Sequence, residues 1–291
     1  MTPSRSEFVP LRGMSHHVHL WGDPAAPKLF LLHGWMDVGA SFQFLVDALT
    51  SERCVIAPDL RGFGRSEWQP QGYWFPDYVA DLEALIEHYA PGRPADIVGH
   101  SLGGNVAMIY AGVRPSRVRR AVSLEGFGLP DQPLEDSPHR YAKWLDALAS
   151  PPSFRPYANL AAVADRMQKD NPRLTRERAL FLAAHWAREL PDGRAELRSD
   201  PRHKLPFPTV YRLAEAKTFW QQITAPVLWV AGDASHIPAW VDKAGGLDGV
   251  RERMSAIRDA RFAVIEGAGH MLHHDQPEAV ARAVEAFLDA P

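Results

Sequence analysis

One serine stands where its hydroxyl could be made into a nucleophile. Ser101 lies in Gly99-His100-Ser101-Leu102-Gly103, after the apolar run Asp96 to Val98 and at the head of a helical pattern that begins with Leu102. A serine on a sharp strand-to-helix turn projects its hydroxyl, and a side chain at either flanking position would crowd that turn, so glycine at 99 and 103 answers a steric need. Unsatisfied N–H groups at the start of the helix are donors for a developing oxyanion, and Leu102 supplies one. His33-Gly34-Trp35 ends another apolar run, which makes the Trp35 N–H the expected second donor.

A base must then take the serine proton. Among 13 histidines, His270 has the required context: it follows the run Phe262 to Ile265 through Glu266-Gly267-Ala268-Gly269, and it comes after Ser101 in chain order. An imidazole within reach of Ser101 accepts its proton during attack and returns it to the leaving group. Such a set performs acyl transfer and needs no metal. No glycine-rich phosphate loop follows the first strands, so no dissociable cofactor is expected. His270, His273 and His274 stand at i, i+3 and i+4, and His16, His17 and His19 form another group, but neither shows a full ligand set in sequence. No metal is expected.

The elements that must position these residues are legible as periodicity. Between residues 28 and 128 short apolar runs alternate with longer amphipathic stretches, the pattern of parallel strands joined by crossover helices. Lys28 to His33, Cys54 to Ala57, Asp96 to Val98 and Arg120 to Leu124 read as strands. Ser41 to Thr50, Phe75 to Tyr89 and Leu102 to Val113 read as helices, the second with Tyr78, Leu82, Leu85, Ile86 and Tyr89 on one face. The alternation resumes with a strand at Pro226 to Val230, a helix around Val250 to Ile257, a strand at Phe262 to Ile265 and a closing helix from Gln276 to Leu288. Residues 7 to 22, alternating around Gly13, suit an antiparallel hairpin at the sheet edge.

The interval 129–222 breaks the pattern. Tyr141, Trp144, Leu145 and Leu148 form one helical stripe, Thr175 is a plausible N-cap for a helix from Arg176 to Glu189, and prolines at 191, 201, 206 and 208 mark an irregular connection. This interval reads as a helical cap inserted into a core made of 1–128 and 223–291. The fold class expected is α/β, with a mostly parallel central sheet flanked by helices.

Composition narrows the rest. With 46% hydrophobic and 23% charged residues, 291 residues can build a large soluble core. The 32 Lys plus Arg against 35 Asp plus Glu leave no field to gather phosphate backbones or an anionic membrane, so neither nucleic acid nor membrane is an expected partner. The single cysteine, Cys54, sits in an apolar run and can form no internal disulfide. The first residues lack the apolar core of a secretory signal and no run approaches a membrane span, which makes the cytoplasm the expected address. Nothing in the sequence sets an oligomeric state.

Taken in order, His33-Gly34, Pro58-Asp59-Leu60-Arg61-Gly62-Phe63-Gly64-Arg65-Ser66, the Ser101 turn and Gly267-Ala268-Gly269-His270 resemble the capped α/β-hydrolase family over nearly the whole core. Within it, Asp200-Pro201-Arg202-His203-Lys204-Leu205 is similar to serine-hydrolase-like proteins and related carboxylesterases. The resemblance implies a Ser101–His270–acid triad. It also exposes a departure, because the position at which the family usually carries its aspartate, three residues beyond Gly232, is Ser235. Asp233 on the same loop is one substitute. The preferred one is Glu125, at the carboxyl end of the strand Arg120 to Leu124, where some members of the family place their acid.

A serine nucleophile favours esters over epoxides or halides, whose hydrolysis in this family generally uses an aspartate. The aromatic side chains of the 129–222 interval are expected to serve mainly as core, with a few lining an apolar pocket for a small to medium hydrophobic ester. Two other readings stay open: cleavage of a carbon–carbon bond in a diketone-like substrate, and a ligand-binding protein with little turnover.

Overall fold

Strands that are apolar on both faces must be covered on both faces, and here the helices between them do so. A computed structural model describes residues 1–291. In chain order the first half holds β1 (Arg5–Leu11), β2 (Met14–Trp21), β3 (Lys28–Leu32), α1 (Gln43–Ala48), β4 (Cys54–Pro58), α2 (Phe75–Tyr89), β5 (Ala95–His100), α3 (Leu102–Val113) and β6 (Val118–Leu124). Between β6 and the next strand of the main sheet lie α4 (Ser137–Ala149), α5 (Leu160–Asp170), α6 (Arg176–Trp186), β7 (Ala187–Glu189), β8 (Ala195–Leu197) and α7 (Leu213–Trp220). The chain then adds β9 (Val227–Gly232), α8 (Ile237–Val241), α9 (Gly246–Met254), β10 (Ala260–Ile265), α10 (Leu272–Asp275) and α11 (Pro277–Leu288).

Eight strands form one sheet in the order β1-β2-β4-β3-β5-β6-β9-β10. The β1–β2 and β2–β4 pairs are antiparallel and the others parallel. Alternate side chains of each strand enter opposite layers. Phe30, Leu32, Ile97, Val227 and Trp229 join the cluster under α2 and α3, whereas Leu29, Leu31, Val98, Leu228 and Val230 join the one under α1 and α11. Each such side chain contributes about 1.5–3 kcal/mol on burial. The leading constraint on function is the place where the order reverses: β3 sends the chain outward to β4, while β5 returns beside β3 on its other edge. Loops leaving the carboxyl ends of β3 and β5 therefore diverge and leave a crevice.

The segment between β6 and β9 differs in detail from its sequence pattern. The helix from Arg176 stops at Trp186 and does not run to Glu189, because residues 187–189 pair with 195–197 as a hairpin. Its turn is Pro191-Asp192-Gly193, closed by Leu190 N–H to the Arg194 carbonyl at 2.7 Å, so the chain is regular around Pro191, while Pro206 and Pro208 lie in an irregular connection as their spacing suggested. Helix α5 was not legible as a separate element. Asn159 caps it by accepting from the Ala162 N–H at 2.9 Å, and Val163, Ala164 and Met167 pack with Leu182 and Ala183 of α6. The stripe on α4 buries nothing fully; Tyr141, Leu145 and Leu148 are exposed and the Trp144 ring meets that of Trp74 at a tilt of 60°. No helix is long and apolar enough to cross a membrane.

Several buried imidazoles are held neutral. Burial pulls His19 down to about 4 and His203 down to about 3, and it also lowers His33, His100, His273 and His274. The unfolded chain takes up these protons near the ordinary histidine value of about 6.5, while the folded chain does not. Their contribution to stability is thus present above about pH 6.5 and is lost as pH falls through the lowered values. Equilibrium urea unfolding is expected to show a midpoint that drops steadily from about pH 7 to about pH 4; a constant midpoint over that range would contradict this account.

Candidate active site

Ser101 sits between β5 and α3 with φ 51° and ψ −110°, a conformation that L side chains seldom adopt. Close packing imposes it. A Cβ at Gly99 would lie 2.2 Å from the Gly103 carbonyl oxygen, and one at Gly103 would lie 2.1 Å from the Leu32 carbonyl oxygen. The turn is tied to its neighbours by Ser101 N–H to Leu124 O at 2.8 Å and Gly103 N–H to His33 O at 3.2 Å. Of the four non-glycine residues with positive φ, three are Ser101, Met36 and Glu125, all at carboxyl ends of central strands. Backbone strain of this kind gathers at functional sites.

The loop after β3 lies against the serine. A Cβ built on Gly34 would be 3.3 Å from Ser101 Cβ, which puts the next residue, Trp35, at the mouth of the turn. The Trp35 N–H engages no backbone carbonyl, and Leu102, first in α3, has no intrahelical acceptor. The loop itself is fixed by His33, whose Nδ1–H donates to Gly34 O at 2.7 Å while Nε2 accepts from the Leu60 N–H at 2.8 Å. Burial lowers the His33 pKa, in keeping with that neutral, doubly bonded ring. The 58–66 motif supports the same region: Asp59 Oδ1 accepts from Gly39 N–H at 2.8 Å, and its Oδ2 from the Arg65 N–H at 2.9 Å and His17 at 2.8 Å. Burial would push the Asp59 carboxyl up, but the His17 hydrogen bond and the nearby histidines bring it down to about 2.

His270 follows β10 on the loop before α10, with its side chain 23% exposed. Its Nδ1 is 3.3 Å from Glu125 Oε2. Glu125 begins where β6 ends, with its side chain completely buried. Its Oε1 accepts from the Gly232 N–H at 2.7 Å, and its Oε2 also accepts from the Ser235 hydroxyl. Asp233 points elsewhere: its Oδ1 accepts from the Ala268 N–H at 3.2 Å, and the residue is exposed. The structure therefore brings Glu125, His270, Ser101, Leu102 and Trp35 to one end of the sheet and leaves Asp233 bracing a loop. The Ser101 hydroxyl and the His270 ring are not hydrogen-bonded to each other, a looseness common before substrate tightens such sites.

Two further residues shape the site without having been singled out. His100, the residue preceding the serine, donates from Nε2 to the His270 carbonyl at 2.8 Å, and its ring lies 4.7 Å from that of His270. Burial and the neighbouring His270 hold it neutral. Its signal was its place inside the Gly-x-Ser-x-Gly turn. Ser235 stands at the position where the family usually carries its aspartate and instead donates its hydroxyl to the Glu125 carboxylate. Only the approach of β6 to β9 reveals that role.

A cavity of about 770 Å³ opens beside these loops. Trp35, Met36 and Met271 line it from the loops after β3 and β10, and Met167, Leu182 and Trp186 of the α5–α6 region form much of its wall. Arg155, Arg166, Asp170 and Lys204 supply charge at its margin.

The sequence profile described as alpha/beta hydrolase fold matches residues 27–277. A serine hydrolase-like protein of Danio rerio is 28% identical, the alignment covering 99% of this chain and 90% of that protein. A 3-hydroxybutyrate-oligomer hydrolase of Cupriavidus necator is 30% identical over 75% of this chain and 76% of its own length. Among solved structures, a thioesterase domain from the curacin biosynthetic pathway superposes with a TM-score of 0.84 at 24% identity, covering 97% of this chain and 99% of that domain.

The steric account of the serine turn is open to direct measurement. Gly103→Ala is expected to cost about 3 kcal/mol of unfolding free energy through the forced contact with the Leu32 carbonyl. An alanine variant as stable as the parent in chemical denaturation would show that the turn has more room than its contacts indicate.

Proposed function

The chain belongs to the alpha/beta hydrolase fold family, and from that premise we propose that it is a serine hydrolase cleaving carboxylic esters through an acyl-enzyme. The observation that carries this reading is the His270 ring held through Nδ1 by the buried Glu125 carboxylate. With Nδ1–H donating to the carboxylate, Nε2 keeps its lone pair and is the nitrogen available to a serine proton. The strained Ser101 turn beside it, and the glycine contacts that enforce the strain, support Ser101 as the nucleophile.

In the proposed reaction Ser101 Oγ attacks the ester carbonyl while His270 Nε2 takes the hydroxyl proton. The carbonyl electron pair moves onto oxygen, which the Trp35 and Leu102 N–H groups stabilise. Collapse of this intermediate breaks the carbon–oxygen bond, and the imidazolium returns its proton to the departing alcohol. Water, deprotonated by the same imidazole, then attacks the acyl-serine and releases the acid. Glu125 fixes the ring orientation and stabilises its charged form, and Ser235 with the Gly232 N–H fixes Glu125.

Residues 129–222 are read as a cap over the core built from 1–128 and 223–291. The apolar walls of the 770 Å³ cavity suit the acyl or alcohol group of a small to medium hydrophobic ester. A relative named for hydrolysis of 3-hydroxybutyrate oligomers is consistent with this, since oligomers of a hydroxy acid are joined as esters.

Wild-type protein and Ser101→Ala should be compared on panels of p-nitrophenyl esters and of diketones, together with labelling by a fluorophosphonate. Turnover of esters and labelling, both abolished in Ser101→Ala, are the expected results; cleavage confined to the diketones, or a folded protein that neither turns over nor labels, would displace the ester reading. The acid has its own test. Glu125→Gln is expected to lower kcat by about 10⁴-fold, with Asp233→Asn close to wild type. The opposite ranking would move the acid to Asp233.

A further inference from the structure

The imidazoles behind the candidate active site are more numerous than acyl transfer requires. His273 and His274 lie on α10, three and four residues after His270, and both are buried. Both ring nitrogens of His273 and Nε2 of His274 have no hydrogen-bond partner. Buried polar atoms are ordinarily paired, so bare nitrogens on adjacent side chains point to a ligand. Asp37, in the loop after β3, closes the group. Its Oδ2 lies 3.9 Å from His273 Nε2, and one donor atom from each of the three residues lies within 4.8 Å of the other two.

We propose that Asp37, His273 and His274 form a binding site for a divalent transition-metal ion such as Zn²⁺. Two imidazole nitrogens and one carboxylate oxygen suit first-row transition ions, whereas Mg²⁺ and Ca²⁺ prefer all-oxygen sets. With bonds of about 2.0–2.2 Å, neighbouring ligand atoms of tetrahedral Zn²⁺ stand roughly 3.4 Å apart, so the 3.9 Å separation needs only a small adjustment. Three protein ligands leave the fourth position to solvent.

The surroundings are those that hold metal ligands in position. Asp37 Oδ2 accepts from the Ser41 hydroxyl at 2.8 Å, and Oδ1 accepts from Trp186 Nε1 at 2.9 Å. His274 Nε2 is buried without a partner. Burial keeps both rings unprotonated, as a ligand must be. There is also a way in, because His274 and Trp186 belong to the wall of the 770 Å³ cavity.

A second group of similar composition makes the contrast. His17, His19 and Asp59 also come within 4.8 Å of one another. There, however, His17 Nδ1 bonds Asp59 directly at 2.8 Å, His17 Nε2 meets Arg65, and Asp59 accepts two backbone N–H groups besides. Its carboxylate and His17 are satisfied as they stand. An ion on His273 would instead pin α10 and reach the catalytic loop through His100, whose ring lies 4.5 Å from His273 and 4.7 Å from His270.

Titration of the metal-stripped protein with Co²⁺, read by visible absorption, tests the site. One equivalent giving the intense bands of a tetrahedral centre, with a raised melting temperature, is expected for wild type. In His273→Gln/His274→Gln the affinity should fall at least about 100-fold, while His17→Gln and His270→Gln should retain it. Absence of saturable binding by wild type, binding that survives the double substitution, or loss in His270→Gln would overturn the proposal. If the double variant does not fold, wild-type crystals soaked in Zn²⁺ decide: an anomalous peak at the zinc edge between Asp37, His273 and His274 is expected, and none there refutes the site.

Discussion

Everything at the functional end of this molecule depends on one unfavourable backbone conformation. Ser101 is held at φ 51° by the crossing of β5, α3 and the end of β3. A turn of that kind relaxes unless its neighbours over-determine it, and here they do so through backbone contacts. Leu32, Leu124 and His33 all lend carbonyls to the turn or crowd it, so the central sheet must be correctly assembled before the serine is presented. The two apolar layers on the faces of the sheet supply the stability against which that strain is held.

Glu125 shows how a carboxylate can meet His270 from a different strand. A carboxylate on the β9 loop and one at the end of β6 approach a histidine from adjacent positions, because β6 and β9 are paired neighbours. In this chain the β6 position carries the carboxylate and the β9 loop carries Ser235, which donates its hydroxyl to that carboxylate. The exchange keeps charge beside His270 while adding a hydrogen bond to the buried acid. Glu125 is completely buried, and such a carboxylate is tolerable only with its oxygens occupied, as they are by Gly232, Ser235 and His270.

The α4–β8 segment makes the binding space and is the least core-like part of the chain. Its own apolar cluster is small and rests on Phe44 of the core, while α4 buries no residue fully. The cavity lies where this segment meets the loops after β3 and β10. The candidate catalytic residues thus sit at strand ends, and much of the cavity wall on helices packed more lightly.

What the sequence determined by itself was whatever local pattern dictates. Short apolar runs and period-3.6 patterning marked the central strands and α2, α3 and α11 nearly to the residue, and the glycines around Ser101 announced its turn because their need is steric and local. Where two patterns competed, the reading slipped: a helical run continued past Trp186, yet residues 187–189 pair with a strand beyond the Pro191-Asp192-Gly193 turn, and pairing is not written in either segment alone. Tertiary structure alone decided the rest. It set Glu125 against His270 across 145 positions of chain, put Asp233 on a backbone amide, and joined Asp37 to His273 and His274, which sequence spacing had grouped with His270 instead. Those are contacts between loops at the ends of non-consecutive strands, and only the order of strands in the sheet determines which loops meet.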